Sequence, residues 1–116
     1  MIAVIFEVLP ASGQLENYLE HAARLRGELD AVDGFISIER FQSLANPDKI
    51  LSLSFWRDEN AVMQWRNHAD HRATQSAGRN GIFGDYRLRV AAVARDYTMR
   101  ERREQAPNDS RAAHSS

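Results

Sequence analysis

The sequence predicts an α+β fold in which strands and helices follow the order β-α-β-β-α-β. Three observations carry this prediction. Four segments are rich in β-branched and aromatic residues, and a helix-period apolar stripe lies between the first and second of them. A capped amphipathic segment containing a tryptophan lies between the third and fourth.

Residues 2–9 run Ile-Ala-Val-Ile-Phe-Glu-Val-Leu before Pro10, a first strand that is apolar on both faces except at Glu7. Ser12-Gly13 is a turn and cap signal. Leu15, Tyr18, Ala22, Leu25, Leu29 and Val32 then recur at spacings of three and four, opposite Glu16, Glu20, Arg24 and Glu28. That is a helix with one apolar stripe, and Asp33-Gly34 stops it. Residues 35–41 form a second strand, and Asn46-Pro47-Asp48 turns the chain. Residues 50–56 form a third strand, with Leu51, Leu53 and Phe55 on one face and Ser52, Ser54 and Trp56 on the other.

Asp58 is placed to cap a helix carrying Ala61, Val62 and Trp65. Residues 68–77 also read as helix, with Asn67 a break and Gly78 a helix stop. The last strand spans 86–97, where Tyr86, Leu88, Val90 and Ala92 alternate with Arg87, Arg89, Ala91 and Val93. Residues 1–97 are thus the expected folded unit, and residues 98–116 a polar, flexible tail.

This order is the ferredoxin-like split motif, a four-stranded antiparallel sheet with helices on one face. The strands are apolar on both sides, so the other face also needs cover. A second copy packed sheet to sheet, making a homodimer, is the simplest cover.

The chain of 116 residues fits one domain, and 43% hydrophobic with 27% charged residues is a globular composition. A formal net charge of −1 gives no electrostatic case for nucleic acid or membrane lipid as partner. Of the 15 basic residues only Lys49 is a lysine, a bias read as one of codon usage. No cysteine is present, which excludes disulfides, thiolate metal sites and cysteine nucleophiles. No segment has the length of a membrane span or the pattern of a signal peptide, so the cytoplasm is the expected location.

The segment Phe55-Trp56-Arg57-Asp58-Glu59-Asn60-Ala61-Val62-Met63-Gln64-Trp65-Arg66-Asn67-His68, followed by His71, Gln75, Gly78 and Arg79, resembles the antibiotic biosynthesis monooxygenase family. Asp33-Gly34-Phe35 and the run from Asp85 to Val90 fit the same pattern, so the resemblance covers residues 1–97. It implies a dimeric α+β barrel with a pocket between helices and sheet in each protomer. It also implies a cofactor-independent monooxygenase taking O2 and an aromatic or electron-rich small molecule. Haem binding or haem degradation is the alternative implied by another branch, and a non-catalytic ligand-binding accessory protein is a third. The haem branch carries an asparagine on its first strand, where this chain has Phe6 and Glu7. Its histidine register, nine residues beyond Trp65, holds Thr74. The anthrone-oxidising branch carries an asparagine where this chain has Ala61.

Trp65 matches the tryptophan that lines the family's pocket, and reads equally as core. His68 and His71 share a helix face, with Gln75 a turn beyond. They offer a base at a pocket mouth or a polar surface, and no third ligand completes a metal site. Glu7, on an apolar strand, is a base of raised pKa or the partner of Arg40, Arg87 or Arg89. Ser52 and Ser54 would line a cavity with hydroxyls, and Arg79 and Tyr86 would hold a phenolate or carboxylate. The expected catalytic set is therefore His71, Glu7 and Arg79, and the expected substrate contacts are Trp65, Tyr86, Ser54 and His68.

Overall fold

A computed structural model describes residues 1–68 and 81–107. The strands are β1 (Ile2–Pro10), β2 (Phe35–Gln42), β3 (Ile50–Trp56) and β4 (Phe83–Ala92), and the helices are α1 (Leu15–Leu29) and α2 (Glu59–Arg66). They form one antiparallel sheet in the order β2-β3-β1-β4, the split topology expected from the sequence. None of the described helices is long and apolar enough to cross a membrane.

Boundaries differ from the sequence expectation where local patterning is weakest. The last strand starts at Phe83 and stops at Ala92, because Pro10 pairs with Phe83 and the Val93 N–H donates to Met1 O as β1 runs out. α1 is entered through Gln14, whose side chain makes no cap bond, while Gly13 turns the chain at φ 77°. Ser12-Gly13 therefore supplies the turn but not the cap. α2 begins as expected, with Asp58 Oδ1 accepting the Ala61 N–H at 2.9 Å. That bond, with the Arg57 charge as a lesser contributor, holds the Asp58 carboxyl below its ordinary range. Residues 69–77 of the helix expected over 68–77, with His71 and Gln75, and Gly78 and Arg79 after it, lie outside the described residues.

Register fixes the two faces. Toward the helices point Ile2, Val4, Phe6 and Val8 of β1 and Ile50, Ser52, Ser54 and Trp56 of β3. Away from them point Ile5, Glu7, Leu51, Leu53 and Phe55. β2 joins the sheet through a bulge between Phe35 and Ser37, which keeps Phe35 opposite Trp56 and Ile38 opposite Ser54.

The helix side of the sheet holds two separate apolar clusters. At one end Leu25, Leu29, Trp56, Ala61 and Trp65 are buried together, joined by Ile2, Val4, Phe35 and Ile38. At the other, Val8, Tyr18 and Ile50 pack with Phe6, Leu15, Ile82 and Phe83. Gly34 ties the first cluster to the loop before β2. It sits at φ 93°, and a Cβ there would lie 2.7 Å from the Ala61 Cβ.

Candidate functional site

Trp65 stands on the buried stripe of α2, 8% exposed, in the cluster with Trp56 and Leu29. The stripe is set by Ala61 and Trp65, one turn apart, with Asp58 fixing where the helix starts. His68 follows the last turn and stacks on Trp65, with ring centroids 5.5 Å apart and planes at 26°. Its Nδ1 lies 3.8 Å from Glu28 Oε2 on α1, so the imidazole sits beside both helices.

Beneath this pair, Ser54 is 5% exposed and its hydroxyl accepts the Trp56 Nε1–H at 2.9 Å. Ser54 is thus engaged with a tryptophan rather than open to a cavity. Ser52, the other serine on that face, is 8% exposed.

Tyr86 lies on the helix side of β4, opposite Val8, with rings 5.7 Å from Phe6 and 6.0 Å from Phe83. It stands on the Val8–Ile50 rung, whereas the Trp65 cluster contains Trp56, six residues along β3 from Ile50. At about 3.3 Å per residue that separates them by roughly 20 Å along the sheet. The structure therefore brings Trp65, His68 and Ser54 together and leaves Tyr86 at the far end.

Glu7 is on the opposite face of the sheet. Its Oε2 lies 3.5 Å from both Arg89 Nη1 and Lys49 Nζ, the ion-pair alternative anticipated from the sequence. Lys49 was not foreseen as a partner, because it sits in the loop just before β3 and parity arguments apply only within strands. Arg40 does not reach Glu7: opposite Ser52, it projects to the helix side. The sheet stands between Glu7 and Trp65, so the two side chains face opposite sides of it. His71 and Arg79 lie outside the described residues.

The two described helices leave β4 open on their side of the sheet. Tyr86, Leu88 and Val90 are 58%, 54% and 48% exposed, an apolar strip beside the buried rows of β1 and β3. Two of the clefts lined by described residues do not include Trp65. One, of 390 Å³, lies between the β1–α1 turn and the β2–β3 loop, against Pro10, Ser12, Leu15, Asn46 and Asp48. The other, of 280 Å³, lies among Glu7, Lys49, Asp85, Tyr86 and Arg87. Among the described residues no group of His, Asp or Glu is arranged to hold a metal ion.

Two kinds of likeness bear on this arrangement. Residues 1–77 match the antibiotic biosynthesis monooxygenase family, and the chain belongs to that family. It is 50% identical over 93 residues to a protein of Pyricularia oryzae named jasmonate monooxygenase ABM, a match covering 80% of this chain and 43% of that protein. The chain thus spans less than half the length of that relative. It is 28% identical over 99 residues to the uncharacterised YqjZ of Bacillus subtilis, covering 85% of this chain and 84% of that one. Among solved structures, Rv0793 of Mycobacterium tuberculosis superposes with a TM-score of 0.75 at 14% identity, covering 84% of this chain and 98% of that one. A Deinococcus radiodurans protein described as a candidate antibiotic biosynthesis monooxygenase gives 0.76 at 10% identity, covering 84% and 97%. Likeness at these identities speaks for the fold.

Proposed function

We propose that this protein is a small cofactor-independent monooxygenase acting on an aromatic or otherwise electron-rich small molecule, held on the helix side of the sheet against Trp65. The observation that carries the reading is family membership over residues 1–77 together with a half-identical relative named as a jasmonate monooxygenase. A jasmonate is for that reason the first specific substrate to try. The apolar floor of β1 and β4, walled at one end by the Trp65 indole, supports it as a surface for a flat or elongated hydrophobic molecule.

In this reading a base removes an activated C–H proton, and the carbanion passes one electron to O2. The radical pair then combines to a peroxide that loses water. A CH2 group and O2 thus become C=O and H2O, with the substrate supplying all four electrons that reduce O2. The protein needs a base, a site shielded from water and a donor to the developing oxyanion. His71 is the proposed base and Arg79 the oxyanion donor, and Tyr86 contacts the distal end of a long substrate. His68 orients Trp65, and Ser54 fixes Trp56 beneath it. The working unit is residues 1–97 as a homodimer in the cytoplasm, with 98–116 an appendage. The test is incubation of purified protein under 18O2 with jasmonate, anthrones and quinols, read by mass spectrometry. One labelled oxygen per product is expected, with Trp65→Phe reducing turnover about tenfold or more. An absence of labelled product from every compound ends the reading.

A further inference from the structure

Between the two apolar clusters, the helix side of the sheet carries a polar rung. Arg40 of β2 stands opposite Ser52 of β3, which stands opposite Phe6 of β1. The α1 stripe crosses this region from Tyr18, in one cluster, to Leu25, in the other, with the small Ala22 between them and in neither.

Arg40 is the unusual member. Its Nε–H is sealed from water and has no hydrogen-bond partner among the described residues. It takes part in none of the ion pairs of the described residues. Its strand neighbour Glu39 points to the opposite face. The guanidinium is directed toward Tyr18: burial pushes the Tyr18 phenol up from its ordinary value, and the Arg40 charge and then its hydrogen bond to the phenol partly offset this. Tyr18 is 6% exposed and therefore remains a protonated donor. Ser52, 8% exposed, adds a hydroxyl on the same rung. A fork of guanidinium donors, a phenol and a serine thus gather at one place with no carboxylate paired to them among the described residues. Partly burying a cation without a counter-charge is costly, and a planar guanidinium fork matches a carboxylate.

We propose that Arg40, Tyr18 and Ser52 form a recognition site for the carboxylate of a small, otherwise apolar organic acid, whose hydrophobic body lies along the open β1–β4 floor toward Trp65. The placement of that body rests on the substrate-binding face proposed above, whereas the anion site rests on Arg40 and its surroundings.

The experiment uses the full chain and simple probes: monocarboxylates from acetate to decanoate and phenylacetate, each beside its primary amide, by calorimetric titration and thermal shift. The carboxylates of adequate length are expected to bind at least about tenfold more tightly than their amides. Arg40→Gln is expected to erase that preference, and Arg40→Lys to restore part of it as a point charge without the fork. Ligand-free Arg40→Leu is expected to melt at or above the wild-type temperature, since it removes a partly buried charge with no counter-charge among the described residues. Equal binding of acids and amides, binding of none of the acids, or an unchanged preference in Arg40→Gln overturns the site. So does equal protection by inorganic phosphate, which would mark a non-specific cation, and so does a lowered melting temperature in Arg40→Leu. The two readings part cleanly. Carboxylate binding without oxygen incorporation sinks the monooxygenase and keeps the site. Turnover that treats acids and amides alike does the reverse.

Discussion

The His68 imidazole lies stacked on the Trp65 indole, centroids 5.5 Å apart, while its Nδ1 faces Glu28 of α1 across 3.8 Å. The imidazole therefore lies between the end of α2 and α1 while it covers the tryptophan. Truncating Trp65 removes a large buried ring and frees its neighbours. Trp65→Ala is expected to cost about 3–5 kcal/mol of stability in denaturant unfolding, which for a domain this small leaves little in reserve. His68→Ala leaves the indole buried and is expected to cost far less, about 1 kcal/mol. A comparable loss in the two variants would show that the stack, rather than the indole's burial, holds this end of the core.

A second prediction concerns the Trp56–Ser54 bond. The indole N–H is buried, and its acceptor is a hydroxyl two residues away on the same face. Ser54→Ala leaves that donor stranded, and a cost of about 1–3 kcal/mol is expected. In a Trp56→Phe background no donor remains, and the same substitution is expected to cost about 1 kcal/mol less. Urea unfolding of the four proteins of this cycle gives the coupling directly. A coupling near zero would show that the bond contributes nothing.

Acid sensitivity is expected at the loop before β2. Arg57 Nη1 and Nη2 donate in parallel to the two Asp33 carboxylate oxygens, both at 3.1 Å. Those bonds, and then the Arg57 charge, hold the Asp33 carboxyl below its ordinary value of 3.8. A carboxyl whose pKa falls on folding contributes stability above its unfolded value, and that contribution is lost as pH drops through the lower folded one. The stability gap between wild type and Asp33→Asn should therefore be present near neutrality and close below pH 3.8. The pair is exposed, so about 1 M salt, with a screening length of about 3 Å, should also narrow the gap. Thermal melts across pH and salt test both. A gap that persists in acid would assign the effect to something other than this pair.

The fold was legible because its signals are local and periodic. The stripe from Leu15 to Leu29, the Asp58 cap and the alternation in residues 50–56 each specify an element from neighbours in sequence. The site was legible only in part. Trp65 could be read from its helix and from the family pattern, but whether Ser54 faced a cavity or Trp56 depended on a side-chain rotamer that no periodicity encodes. Glu7 shows the same limit from the other side. Its parity was clear, yet which face the helices would cover is decided by packing across the whole sheet. Arg40 was weighed only as a partner for Glu7. Its helix-side placement follows the bulge after Phe35, a single inserted residue that shifts the parity of β2.

That same parity leaves Ile5, Leu51, Leu53 and Phe55 on the face without helices, with Phe41 of β2 43% exposed beside them. An apolar sheet face of this kind is the surface that a homodimer would cover. Leu53 stands between Ile5 and Glu39 in register, near the middle of that surface. Leu53→Glu places a second carboxylate beside Glu39 and would have to be desolvated in any sheet-to-sheet contact, while in a lone chain it faces water. The expected result in sedimentation equilibrium is a fall from the mass of two chains to that of one, with the far-ultraviolet dichroism of the fold retained. Wild type at the mass of one chain across the micromolar range would remove the homodimer. An unshifted dimer in Leu53→Glu would place its interface on some other surface.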